Sequence, residues 1–244
     1  MFRAPRCLAA VLLVAFAACA ASPPAAAEKQ ATNNTKTYTA GGNRVTAWSE
    51  GFGGWQTRTW GDDGSWLWVN FDMTKGAYDA GIGRNLASGA RVDGQAVGKG
   101  VKAKVSVSGV GGSGYYWLGP KTIISSTPSY SGLTGQYECY IVEKSNKSPA
   151  WLVDKVGLKL RGRGTYDGSV YKHYTKTYRG ILQIWSIRQR YRNGGYTSVG
   201  YIQRDWRRLN LTKNWFNLGW KYNVEVNGQL KGEIGFSDLS LPGN

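Results

Sequence analysis

The chain has 244 residues, among them 34 Gly, 11 Trp, 15 Tyr and 6 Phe, and a formal net charge of +16. Abundant Gly and aromatics with 19% charged residues argue against a helical bundle, a coiled coil or a disordered chain. The basic excess admits nucleic acid, an anionic membrane or an acidic polymer as partner, and favours none of them by itself.

Residues 1–27 read as a secretory signal peptide. Arg3 and Arg6 precede an apolar run from Leu8 to Ala18, and Ala25, Ala26 and Ala27 offer a small-residue cleavage site before Glu28. The expectation is a secreted protein; a lipoprotein anchored at Cys19 fits less well, because Phe16 departs from the usual lipobox. Cys7 and Cys19 leave with the leader, so Cys139 stays behind as a lone thiol and no intrachain disulfide is expected. No later stretch approaches the roughly 20 apolar residues of a membrane span.

A polar lead, residues 28–36, precedes one domain, residues 37–244, of short strands between Gly-rich turns. Trp66 to Phe71 follows the turn Gly61-Asp62-Asp63-Gly64, and Val101 to Val107 alternates and stops at Gly109. Tyr137 to Val142, Lys155 to Leu160, Val170 to Thr177, Ile181 to Gln189 and Tyr222 to Val226 continue the pattern. Turn signals at Gly162, Gly164, Asp167-Gly168, Asn193-Gly194-Gly195 and Asn227-Gly228 separate them. Such spacing means a sandwich, jelly roll or barrel. Ile202, Trp206 and Leu209 recur at helical spacing, with Arg204, Arg207 and Arg208 off the stripe, which predicts one short helix.

In Gln136-Tyr137-Glu138-Cys139-Tyr140-Ile141-Val142-Glu143 the strand period puts Glu138, Tyr140 and Val142 on one face and Tyr137, Cys139 and Ile141 on the other. Tyr166 to Tyr171, then Gln183-Ile184-Trp185-Ser186-Ile187-Arg188-Gln189, the helix with Trp206, and Phe216-Asn217-Leu218-Gly219 follow. In this order the chain resembles the glycoside hydrolase family 11 endo-β-1,4-xylanases, best over residues 132–228 and more weakly over 48–83. The resemblance implies an all-β jelly roll of two twisted antiparallel sheets, one curled into an open cleft for a xylan chain. It also implies that Glu138 is the nucleophile, that Tyr130 and Tyr140 flank it, and that Gln183 and Trp48 line the cleft. A retaining glycosidase needs a carboxylate to attack the anomeric carbon, and tyrosine hydroxyls can orient it. Flat aromatic faces suit sugar C–H groups.

Three departures from the family pattern stand out. Asn227, before Gly228, falls where the resemblance implies the acid/base glutamate, and an amide cannot protonate a leaving oxygen. Ala77 replaces the small polar or acidic residue that assists that acid. The thumb, a long hairpin closing over the substrate, is reduced to the few residues between Tyr178 and Gln183. Glu225, two residues or about 6.8 Å before Asn227 on the same strand face, is a substitute acid, and Glu233 and Asp79 are further candidates. Two functions therefore compete. One is a retaining xylanase using Glu138 and a substitute acid; the other is a non-catalytic polysaccharide-binding protein that has lost its proton donor.

The remaining residues carry blander expectations. Cys139 reads as a small core residue and His173 as a solvated strand residue. One His and one mature Cys supply no zinc spacing, so no metal and no cofactor are expected. The runs Lys159 to Arg163 and Arg188 to Arg192 read as a solvated basic face in preference to a nucleic-acid site, with acidic, glucuronate-decorated xylan as a partner between the two. A monomer is expected.

Overall fold

The structure, a computed structural model, describes residues 28–32, 36–91, 100–127, 136–213 and 215–242. Strands β1 (Glu28–Ala31) and β2 (Lys36–Ala40) lead into the long β3 (Asn43–Gly61) and β4 (Leu67–Arg91). Next come β5 (Val101–Gly111), β6 (Tyr115–Ser125), β7 (Gln136–Val142), β8 (Lys144–Ser145) and helix α1 (Pro149–Val156). Strands β9 (Lys159–Tyr166), β10 (Ser169–Tyr178), β11 (Ile181–Arg188) and β12 (Gly194–Thr197), helix α2 (Val199–Arg208), β13 (Phe216–Asn227) and β14 (Leu230–Ser240) complete the chain. Residues 1–27, where a leader is expected, and Tyr130 lie outside the described residues.

The strands hydrogen-bond in the order β12-β5-β14-β4-β13-β6-β7-β11-β10-β9, with β3 on β4. This continuous sheet twists and curls until it packs on itself as a β-jelly roll. Pairing is antiparallel throughout except for β7 with β11, which run parallel, so the expected all-antiparallel sheets carry one exception.

Alternation along each strand divides the side chains between two faces. Tyr78, Ala80 and Ile82 of β4, Tyr116 and Leu118 of β6, Cys139 and Ile141 of β7, and Tyr222, Val224 and Val226 of β13 join the main core with Trp206 of α2. Their neighbours in sequence turn to the opposite, concave face. Cys139 is fully buried and burial raises its thiol well above the usual value, which makes it an inert core residue.

Four expectations are corrected. Lys155–Leu160 does not form one strand, because Lys155 and Val156 are the last turn of α1 and β9 begins only at Lys159. Ser148 caps that helix by accepting a hydrogen bond from the Trp151 N–H, Pro149 opens it, and Gly157 closes it at φ 73°. The chain thus has two helices among the described residues where one was expected. His173 is not solvated: it is fully buried, with Nδ1 2.8 Å from the Ser186 hydroxyl and Nε2 3.5 Å from Asp205. The basic run at 188–192 is not simply a solvated face, since Arg188 and Arg192 turn inward to the buried Glu143. Lys159, Arg161 and Arg163 do stay exposed, along β9 at the end of the strand order, where charges discourage pairing with another chain.

Candidate functional site

Register brings the concave-face side chains together in rows across the sheet. Trp48 of β3 stands opposite Asp79 of β4, Asp79 opposite Glu225 of β13, and Glu225 opposite Trp117 of β6. Further along, Lys221 pairs with Lys121 and Lys121 with Tyr140. Glu138 and Gln183 are register partners on β7 and β11. Residues distant in sequence thereby meet on one face, five of them charged and three aromatic, with the Gln183 amide beside them.

Glu138 is held from two sides. The Tyr140 hydroxyl donates to its Oε2 at 2.7 Å, and Gln183 Nε2 donates to the same oxygen at 2.9 Å and to the Tyr140 oxygen at 3.3 Å. Tyr140 lies two residues along the same strand face, so the bond follows from the strand period alone. Its ring is fixed by Trp185 at 4.4 Å and Trp117 at 5.0 Å between centroids. The Lys121 ammonium sits 4.9 Å from the same ring.

Asp79 and Glu225, opposite each other, have opposite proton affinities. Burial alone would raise Asp79, but Lys121 at 3.2 Å, Lys221 at 2.9 Å and the Asn223 amide at 2.9 Å hold its carboxyl well below the usual range. Asp79 is therefore a fixed anion and no proton donor, which removes it from the candidate acids. Glu225 is pushed up to about 7, chiefly by burial and further by the charges of Asp79 and Glu138, against the pull of Lys121 and the Asn227 amide. A carboxyl that keeps its proton near neutrality is what a general acid requires.

The two lysines respond differently. Burial lowers both, but Lys121 faces Asp79, Glu138 and Glu225 and is held protonated, whereas Lys221 is lowered, with the charge of Lys121 adding to burial. Sequence reading overlooked this pair. Lys121 and Lys221 break the apolar run of their strands at alternate positions, and that break was the available signal.

Asn227 ends β13 and donates its side-chain amide to Glu225 Oε1 at 3.2 Å. It stands beside the carboxyl, as a modulator of its proton affinity. Ala77 lies opposite Asn227 in the register. Glu233 of β14 pairs with Asn70 of β4 and Ser108 of β5, in a part of the sheet that contributes nothing to the rows above.

The hairpin from β10 to β11 turns on Arg179 and Gly180, both at positive φ, so no long hairpin stands between these strands. The short tip still spans the groove: Arg179 forms an ion pair with Glu50 of β3, and the Tyr178 hydroxyl lies 3.4 Å from Glu50 Oε2. Trp48, two residues from Glu50, is 46% exposed, which leaves its indole free to meet a ligand.

In sequence the chain matches no family model and no curated protein. Among solved structures it is similar to the family 11 xylanase from Neocallimastix patriciarum, at 20% identity over 87% of this chain and 98% of that one, with a TM-score of 0.69. The chain has the fold of these xylanases. A loop-swap mutant of the Neocallimastix xylanase Xyn11A gives 19% identity, coverage of 88% and 98%, and a TM-score of 0.65. A mutant of ENZbleach xylanase with two introduced cysteines gives 16%, coverage of 86% and 85%, and 0.67. At these identities the likeness is one of fold, and the chemistry rests on this chain's own residues.

Among the described residues no cluster of His, Cys, Asp and Glu could hold a metal ion, and no helix is long and apolar enough to cross a membrane.

The state of Glu225 has a consequence for stability. Its folded value lies near 7 against 4.5 for an ordinary glutamate, so the unfolded chain loses that proton first as pH rises. Ionisation then opposes folding, with no penalty below about 4.5 and the full penalty above about 7. The Glu225→Gln variant is expected to be more stable than the native chain at pH 8, by up to about 3 kcal/mol, and level with it near pH 4.5. Urea unfolding midpoints at the two pH values check this; an equal gap at both contradicts it.

Proposed function

We propose that the protein is a secreted xylan hydrolase that works with retention. Glu138 acts as nucleophile and Glu225 as acid and then base. The observation that carries this reading is the pairing, on one groove face, of a carboxylate fixed by two donors with a second carboxyl held protonated near neutrality. The similarity in fold to family 11 xylanases supports xylan as the polymer. Loss of residues 1–27 as a leader agrees with a large extracellular polysaccharide.

In the first step the Glu138 carboxylate attacks the anomeric carbon while Glu225 gives its proton to the departing glycosidic oxygen. The Tyr140 hydroxyl and Gln183 amide keep the attacking carboxylate from rotating away. In the second step Glu225, now ionised, takes a proton from water, which attacks the same carbon and frees Glu138. Lys121, beside both carboxyls, steadies the negative charge that moves between them. Trp48 offers a stacking face to a sugar on the β3 side of the groove.

Reducing-sugar release from xylan, glucuronoxylan and mixed-linkage β-glucan tests the reading. Release is expected from both xylans and not from β-glucan. Retained xylan binding without release would instead identify a non-catalytic binding protein.

Asn227 tunes the pH range. Its amide hydrogen bond favours the ionised form of Glu225; Asn227→Ala removes that support and raises the carboxyl further. The alkaline limb of the pH–rate profile is expected to move upward by a fraction of a pH unit to about one unit, which corresponds to roughly 1 kcal/mol. An unmoved limb in kcat/KM contradicts a role of Glu225 as acid.

A further inference from the structure

Helix α1 packs on the concave face of the sheet, the face that carries Glu138. Its Leu152 is fully buried in a second apolar cluster with Trp117, Tyr140, Val142, Trp185 and Ile187. Each of these five strand residues points the same way as Glu138 or Glu225: Tyr140 and Val142 by the period of β7, Trp117 as the register partner of Glu225, and Trp185 and Ile187 two and four residues from Gln183 on β11. The floor that would extend the groove past Tyr140 is therefore packed protein.

The cover reaches the acid. Trp151 of α1 meets Tyr115 edge-on at 5.2 Å between centroids, and Tyr115 has its phenol pushed up to about 12 by burial and by the charge of Glu225. Across the groove, the Tyr178–Arg179 tip is tied to Glu50. On the same face Trp48 is exposed, Glu225, Lys121 and Glu138 are half-buried, and Gln183 is buried.

We propose that α1 makes the groove blind at the end formed by Tyr115 and Trp117, so that the site takes a short xylo-oligosaccharide or a chain end and not the middle of a long chain. This rests on the xylan reading above. Ser148, Pro149 and Gly157, which delimit α1, and Trp151 and Leu152, which seat it, then set product size.

Calorimetric titration of the Glu138→Gln variant with xylo-oligosaccharides from dimer to hexamer tests the proposal without altering α1. Affinity is expected to rise over the first additions and then level off before the hexamer. A steady rise through the hexamer overturns the blind end. No binding at any length overturns the xylan reading itself, a distinct outcome. In the Trp151→Ala variant of that protein, hexamer affinity is expected to increase about tenfold, the worth of about one further sugar contact, with trimer affinity unchanged. Parallel loss at all lengths, or no change at the hexamer, in a variant whose melting is native-like, contradicts control of length by α1. On polymeric xylan the native protein is expected to release sugars with little drop in viscosity; a rapid drop marks internal cutting and overturns the proposal.

Discussion

Replacing Glu138 by Gln is expected to reduce xylan hydrolysis by about 10⁴-fold or more while leaving oligosaccharide affinity within about threefold of the native value. The large loss follows because an amide cannot form the glycosyl-enzyme bond. Binding survives because the amide has the same shape, and its carbonyl oxygen still accepts from the Tyr140 hydroxyl and Gln183 Nε2, which bond Glu138 at 2.7 and 2.9 Å. Initial rates and calorimetric affinities on the same preparation separate the two effects. Turnover within tenfold of native would remove Glu138 from the mechanism.

Glu225→Gln is expected to lower the rate on xylan by about 10² to 10⁴-fold, the usual worth of general acid catalysis. The loss depends on the leaving group. An aryl xylobioside whose phenol departs without a proton should form the glycosyl-enzyme at near-native rate in the variant, since only xylan needs the proton that Glu225 holds up to about pH 7. The alkaline limb of the native profile, expected near pH 7, should vanish with it. Equal losses on both substrates would show that the substitution has damaged the groove and not the proton transfer.

Much of this arrangement was legible in the chain. Strand alternation placed Glu138 and Tyr140 together and sent Cys139 to the core, because a period of two leaves no freedom once one face is buried. The helical stripe of Ile202 and Trp206 marked α2 in the same way. Helix α1 escaped notice although Ser148, Pro149 and Gly157 bracket it, since Trp151, Leu152 and Val153 also fit a strand and eight residues show little helical period. His173 was misplaced because burial of a histidine depends on partners such as Ser186 and Asp205, which come from other elements.

The proposed acid was harder to read for a different reason. In the sequence, Asn227 beside Gly228 drew attention as the residue at the acid's place, and Glu225 stood as a substitute at an awkward offset. The difference between Asp79 and Glu225 comes from pairing across strands, where two lysines flank one carboxyl and an asparagine amide reaches the other. Lys121 is about 40 residues from Asp79 and Lys221 about 140, and no local pattern connects them. Register between strands, which sequence period alone does not fix, decides which carboxyl keeps its proton.

The central claim is that Glu138 forms a covalent bond to a xylose unit in a working retaining site. Incubation of the native protein with an activated 2-deoxy-2-fluoro-xylobioside, followed by intact-mass and peptide mass spectrometry, tests it most directly. The account predicts a single added glycosyl group, located on the peptide carrying Glu138 and absent from the Glu138→Gln variant. An unmodified protein at saturating reagent, or an adduct on Asp79, Glu225 or another carboxyl, would contradict it.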